Sequence, residues 1–434
     1  MSRPTAAERL RQTSRLLRRE GPSGVAIRLL DRAREALGPA GYGGLPIGRE
    51  DLARASEIAA TGLPLPEPIP WRAGEPLIVA WVCGPPGEGS GGHTTMFRMV
   101  AALERAGHTC VVYVHDRHGW EVDQHRRTVR AWWPWVRAEV RDLDDGLDDA
   151  HVVLATSWET AYPVLASPAR GARCYFVQDF EPAFHPAGSV ALLAEATYRF
   201  GFHGVTAGRW LAERLRREYG MPAEHFDFGV DRDRYTVEGA GERAGVCFFS
   251  RPSTPRRAHE LAVVALDLFA ARHPEVAIHA YGEPAGALPF AATDHGLLTP
   301  EQLAALYRRC VAGLVLSATN VSLVPHEMLA CGCIPVVNDA EHNRVVLDNE
   351  HVSYASATPF ALAAALSRLV SRPAGERLLA ARAAAASVDS TSWEESGRQV
   401  ERILLGVLAA PPDVSELTRH IDPLSSDTPG EVGV

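Results

Sequence analysis

LIVAWVCGPPGEGSGGHTT, residues 77–95, passes from an apolar β-branched run through a glycine-rich turn into a helical pattern. That succession opens a doubly wound α/β domain, in which a strand feeds a phosphate-facing turn and then a helix. Gly87-Glu88-Gly89-Ser90-Gly91-Gly92 also satisfies G-x-G-x-x-G. The letters alone do not select a dehydrogenase, because any nucleotide whose phosphate approaches backbone N–H groups at a helix N-terminus needs such a turn.

Working outward, the pattern predicts strands over 77–83, 110–115, 152–156, 174–178 and 204–207, with helices such as 94–105 and 210–219 between them. After FGVDRDRYTVEGAGERAG it restarts: strands over 246–250, 277–281, 313–317, 334–337 and 352–354, and helices over 257–272, 300–308, 359–369 and 374–386. Short apolar strands alternating with helices imply parallel sheets covered on both faces. The fold class is therefore α/β, with two Rossmann-like domains whose strand C-terminal ends face one cleft. We expect a helical arm and Pro/Gly linker over 1–74, a first domain over 75–240 and a second over 241–391. A helix over 392–410 is expected to return to the first domain, followed by a disordered tail over 411–434.

A chain of 434 residues, 46% apolar and 22% charged, suits a globular protein of more than one domain. Met1 to Glu20 lacks the apolar core of a signal peptide, so the chain reads as cytoplasmic. Residues 1–37 carry nine Arg against four acids and an apolar stripe through Val25, Leu29, Ala33 and Leu37. This arm either packs on the body or touches an anionic membrane surface. A net charge of −9 excludes nucleic acid as the expected partner. All 44 basic residues are Arg, which excludes P-loop and Schiff-base chemistry and leaves Arg forks and backbone amides to hold phosphate. The seven cysteines lie mostly in apolar runs and read as packing residues. The acidic turn DLDDGLDD, 142–149, precedes a strand and reads as solvated, so neither a metal nor another cofactor is implied.

The most specific block is SATNVSLVPHEMLACGCIPVVND, 317–339. It resembles the signature of the large retaining family four of GT-B glycosyltransferases. The resemblance implies that Glu327 holds nucleotide ribose hydroxyls and that amides of Asn320, Val321, Ser322 and Leu323 meet donor sugar and phosphate. That family usually carries a second acid eight residues before this Glu, where Thr319 stands here. In CFFSRPSTPRRAHELAVVAL, 247–266, Arg251 takes the place of the family's Gly-Arg arginine, and Arg256 or Arg257 that of its lysine, all on the donor diphosphate. Cations at a helix start oppose its dipole, so an anion to bind is the better reason for them than a solvated surface. With YFVQDFEPAFHPAGS and EATYRFGFHGVTAGRWLAERL, these blocks are most similar to the WsaF-type rhamnosyltransferases over roughly residues 75–405. A donor of dTDP-β-L-rhamnose and a glycan or lipid-linked acceptor follow from that similarity.

In this reading Gly91 and Gly92 let the first loop approach the diphosphate. His93 then stands at the reaction centre or caps its helix. Asp179 and Glu181 in VQDFEP are the candidate reacting acids, and Trp158 with Glu159 in TSWET the candidate acceptor platform. Loop capping for Glu181 and core packing for Trp158 are the alternatives. A nicotinamide oxidoreductase, with Asp116 on a ribose, competes on the glycine motif. A hexosyltransferase using UDP or GDP, and a nucleotide-sugar binding module that turns nothing over, are the other readings.

Overall fold

The computed structural model describes residues 45–61, 65–238 and 242–409. The expected arm over 1–37, the tail from 411 and part of the junction between the domains lie outside them. The chain divides into two compact units at Ala53, and both sheets lie in the second.

The first sheet has seven parallel strands: β1 (Ile78–Cys83), β2 (Thr109–Val114), β3 (Glu139–Asp142), β4 (Val152–Ala155), β5 (Ala172–Val177), β6 (His203–Ala207) and β7 (Ala223–Phe226), in the order β3-β2-β1-β4-β5-β6-β7. The second has six, β8 (Val246–Ser250), β9 (Ile278–Gly282), β10 (Thr293–Asp294), β11 (Ala312–Leu314), β12 (Ile334–Asn338) and β13 (Ser353–Ala355), ordered β10-β9-β8-β11-β12-β13. Central strands such as β4 and β5 are buried along their whole length, as helices on both faces require. In each sheet the order reverses once, between β1 and β4 and between β8 and β11. Those two switch points are where a doubly wound sheet leaves a crevice at its strand ends.

Two glycines set the packing that positions the site. A Cβ on Gly313 in β11 would lie 2.4 Å from Met328 Cε and 3.0 Å from Cys247 Sγ, so glycine here leaves the space that Met328 of the helix Val324–Ala330 fills against the sheet. A Cβ on Gly397 would lie 2.4 Å from Ala102 Cβ, and this close approach seats the last helix, Trp393–Ala409, on Gly91–Arg105 of the first domain. His108 to Glu401 at 3.0 Å and Ser396 Oγ to the Asp227 carbonyl at 2.6 Å fix the same return. Among the described residues no helix is long and apolar enough to cross a membrane. All seven cysteines are buried and free, and burial pushes the Cys83 thiol up to about 12.

Candidate functional site

In the second domain the β8/β11 crevice is lined from both sides by the loops after those strands. Arg251 follows β8 directly and pairs with Glu283, which follows β9, at 3.0 Å. Ser253 holds the same carboxylate through its N–H at 3.0 Å and its hydroxyl at 2.6 Å. A 3-10 turn, Pro255–Arg257, then presents two guanidinium groups toward the β11 loop. Arg257 donates to Ser317 Oγ at 2.8 Å and to the Asn320 carbonyl at 3.3 Å. Among the described residues it pairs with no carboxylate. Burial pulls its pKa down to about 10, opposed chiefly by the charge of Asp179. A guanidinium desolvated without a bonded anion is poised to take one.

Ser317 is pinned by Asn338, whose side-chain oxygen accepts from its N–H at 2.9 Å and whose amide donates to its carbonyl at 2.8 Å; His342 adds a third bond at 2.8 Å. The start of the loop beyond is thereby anchored, yet four buried polar atoms in the loop and the helix after it have no partner: Thr319 Oγ1, Asn320 Oδ1, Ser322 Oγ and His326 Nδ1. Val321 is buried and Leu323 half-buried at the start of the helix carrying Glu327. Burial lifts the Glu327 carboxyl to about 7, Asp231 lifts it further, and Arg98 and a hydrogen bond with Tyr235 pull it down. Arg98 itself grips Asp231 at 2.8 and 2.5 Å.

The first domain meets this loop through the end of β5. Asn320 donates from its side chain to the carbonyls of Gln178 and Ala207 at 2.9 and 2.8 Å, and from its backbone to Asp179 at 2.8 Å. Arg256 reaches the other Asp179 oxygen at 3.1 Å and lies over the Phe184 ring at 4.0 Å. Gln178 also donates to the Gly92 carbonyl at 3.0 Å, which ties the glycine loop to the same network. Space is open where a Cβ on Gly87, Gly89 or Gly91 would be, and a Cβ on Gly92 would meet only Gln178, at 3.6 Å.

The structure thus brings together Gly92, Asp179, Arg256, Arg257 and Asn320. It places other candidates apart. His93 is bonded at both ring nitrogens, to Ser90 Oγ at 2.9 Å and the Gly84 carbonyl at 3.3 Å, so it braces the glycine loop. Glu181 is buried, accepting from Trp158 N–H at 2.7 Å and Tyr175 hydroxyl at 3.1 Å. Trp158 is 1% exposed and packs edge-on against Tyr162 and His185, which is a core position, while Glu159 beside it is half-buried. Asp116, the acid a dehydrogenase would turn to a ribose, is held by the N–H groups of His118 and Trp120 and by His125 at 2.7 Å. Gln178 and Glu283 carry no local sequence signal beyond following a strand.

Residues 244–367 match the family described as WsaF, C-terminal domain. The chain is 34% identical over 329 residues to the O-antigen biosynthesis protein RfbC of Myxococcus xanthus, an alignment covering 72% of this chain and 26% of that one. It therefore spans about a quarter of the length of this curated relative. Among solved structures, WaaG, a glycosyltransferase involved in lipopolysaccharide biosynthesis, superposes with a TM-score of 0.54 at 12% identity over 76% of this chain and 100% of that one. HepE of Anabaena, in complex with UDP and glucose, gives 0.57 at 12% identity over 75% and 99%. The chain is WsaF-like in sequence over its second domain, and its fold is that of the GT-B glycosyltransferases.

Proposed function

We propose that this protein is a glycosyltransferase of surface polysaccharide biosynthesis, moving a sugar from a nucleotide diphosphate donor to a glycan acceptor. The observation that carries the reading is the β8/β11 crevice. There Arg251, Arg256, Arg257 and the Asn320 backbone N–H converge opposite the glycine loop of the facing domain. Guanidinium forks and loop amides neutralise a leaving diphosphate without a metal. The relationship to an O-antigen biosynthesis protein supports the pathway class.

The finer reading is L-rhamnose from dTDP-β-L-rhamnose, transferred with retention. The buried Thr319 supports it: a neutral side chain stands where an acid would address a sugar hydroxyl, and a 6-deoxy sugar lacks one. Glu327 takes the 3′-hydroxyl of the nucleoside, and the unpartnered Thr319 and Ser322 hydroxyls take sugar or phosphate oxygens. The acceptor enters over the first-domain strand ends, where the helix starts after β1 and β4 carry His93 and Glu159 and β5 leads into Asp179, with Trp158 and Glu181 supporting them from behind.

Thermal-shift titration with dTDP, UDP, GDP and NADH tests the class, since a ligand at 100 times its Kd adds about 2.7 kcal/mol of stability. Stabilisation by dTDP supports the donor. Stabilisation by UDP or GDP alone keeps the class and changes the donor, and stabilisation by NADH alone overturns the proposal.

A further inference from the structure

We infer that Asp179 is an internal anion occupying the diphosphate site, and that the donor binds by taking its place on Arg256 and the Asn320 N–H; this rests on the assignment of those groups to the donor diphosphate proposed above. One carboxylate takes two of the four donors assigned to the diphosphate. Oδ1 accepts from the Asn320 backbone N–H at 2.8 Å, Oδ2 from Arg256 Nε at 3.1 Å, and the residue is 8% exposed. A guanidinium and a loop amide converging on two oxygens is the same donor set that recognises a phosphate. The carboxylate comes from the other domain, off the end of β5, so it is a ligand to the anion site and not part of its wall.

The surrounding bonds allow the exchange. Asn320 stays docked on the first domain through Gln178 and Ala207 after Asp179 leaves, so the domains need not part. Phe180 N–H, at 2.9 Å from Oδ1, keeps the freed side chain near the end of its strand. Once a diphosphate sits on Arg256 and Arg257, like-charge repulsion drives the carboxylate away from it and toward the acceptor side of the cleft. Donor binding therefore exposes an acid that can accept a hydrogen bond from an acceptor hydroxyl.

Calorimetric titration with inorganic pyrophosphate and with dTDP tests the exchange on wild type, Asp179→Asn, Arg256→Ala and the double variant. Asparagine keeps an oxygen for Asn320 and Phe180 but loses the charge. Asp179→Ser, a shorter acceptor, serves if the first variant does not fold. The variant at 179 should bind pyrophosphate about tenfold more tightly than wild type, and Arg256→Ala should abolish that gain in the double variant. Wild type that binds pyrophosphate, with equal or weaker binding by a folded variant at 179, overturns the exchange and leaves the proposed function standing. Binding of neither ligand by any of the proteins removes the anion site, and both readings fall.

Discussion

Replacing Glu181 by glutamine should stabilise the protein at neutral pH and leave it unchanged in acid. Burial lifts this carboxyl from its ordinary 4.5 to about 8, with Glu159 adding to the rise and the bonds from Trp158 and Tyr175 opposing it. The sign is opposite to that of a salt-bridged acid: the folded chain keeps a proton that the unfolded chain releases, so stability falls as pH rises from about 4.5 to about 8. Over that window each pH unit removes about 1.4 kcal/mol, so at pH 7 the buried acid costs roughly 3 kcal/mol. Glutamine removes that cost while keeping an oxygen for the Trp158 N–H and offering an amide to the Tyr175 hydroxyl. For a domain of this size roughly 3 kcal/mol corresponds to about 6 to 12 °C in Tm. Calorimetric Tm of both proteins at pH 5 and at pH 7.5 measures it. A Tm difference that is the same at both pH values would refute the buried-acid account. A large loss of turnover without the pH-dependent Tm gain would put Glu181 at the reacting atoms instead.

Glu327→Gln should weaken dTDP binding much more than Thr319→Ala, because in the proposed site an ionised carboxylate accepts the nucleoside hydroxyl in a charge-assisted bond, whereas Thr319 offers one neutral hydroxyl and stands where the sugar, absent from dTDP, would lie. Since burial holds Glu327 near 7 and hydroxyl donors favour its ionised form, wild-type donor affinity should rise with pH through about 7, and the glutamine variant should lose that slope in titrations at several pH values. Arg251→Ala should cost about tenfold or more in dTDP affinity by calorimetry, a charge-assisted bond being worth about 1.5 to 3 kcal/mol; unchanged binding sinks the diphosphate role. Gly397→Ala should destabilise the fold by about 1 to 3 kcal/mol, read as a lowered Tm, because its Cβ would meet Ala102 at 2.4 Å.

What was legible in the sequence was what local pattern encodes. The largely apolar runs at β1, β5, β8 and β12 are legible as strands because each is buried on both faces along most of its length, a demand that favours apolar side chains. β3 (EVRD), β7 (AEHF) and the two-residue β10 carry no such pattern. They lie at sheet edges, where pairing to one neighbour and not composition makes a strand. The arginines after β8 could be read because cations at a helix start need a reason. The partner of Arg256 could not, since it is 77 residues away, and the bond from Asn320 to Asp179 spans 141. An acid at a strand end reads as a reactive group from sequence, whereas here its first neighbours are donors from another domain. Trp158 looked like a platform for the same reason: nothing local says which way a ring at a helix start turns.

The return of the last helix to the first domain has a consequence for engineering. The chain leaves the first domain after Asp231 and re-enters it at Trp393, and the two crossings touch: Arg232 bonds to Asp389 and to the Ala385 carbonyl, while Arg98, which grips Asp231, lies 4.7 Å over the Trp393 ring. Topologically the second domain is a cassette plugged into a single socket. Two cuts a few ångströms apart in space, though more than a hundred residues apart in sequence, would exchange the second domain and leave the first uncut. If the proposed division of roles holds, recombination between relatives at those two points yields a new donor on an old acceptor.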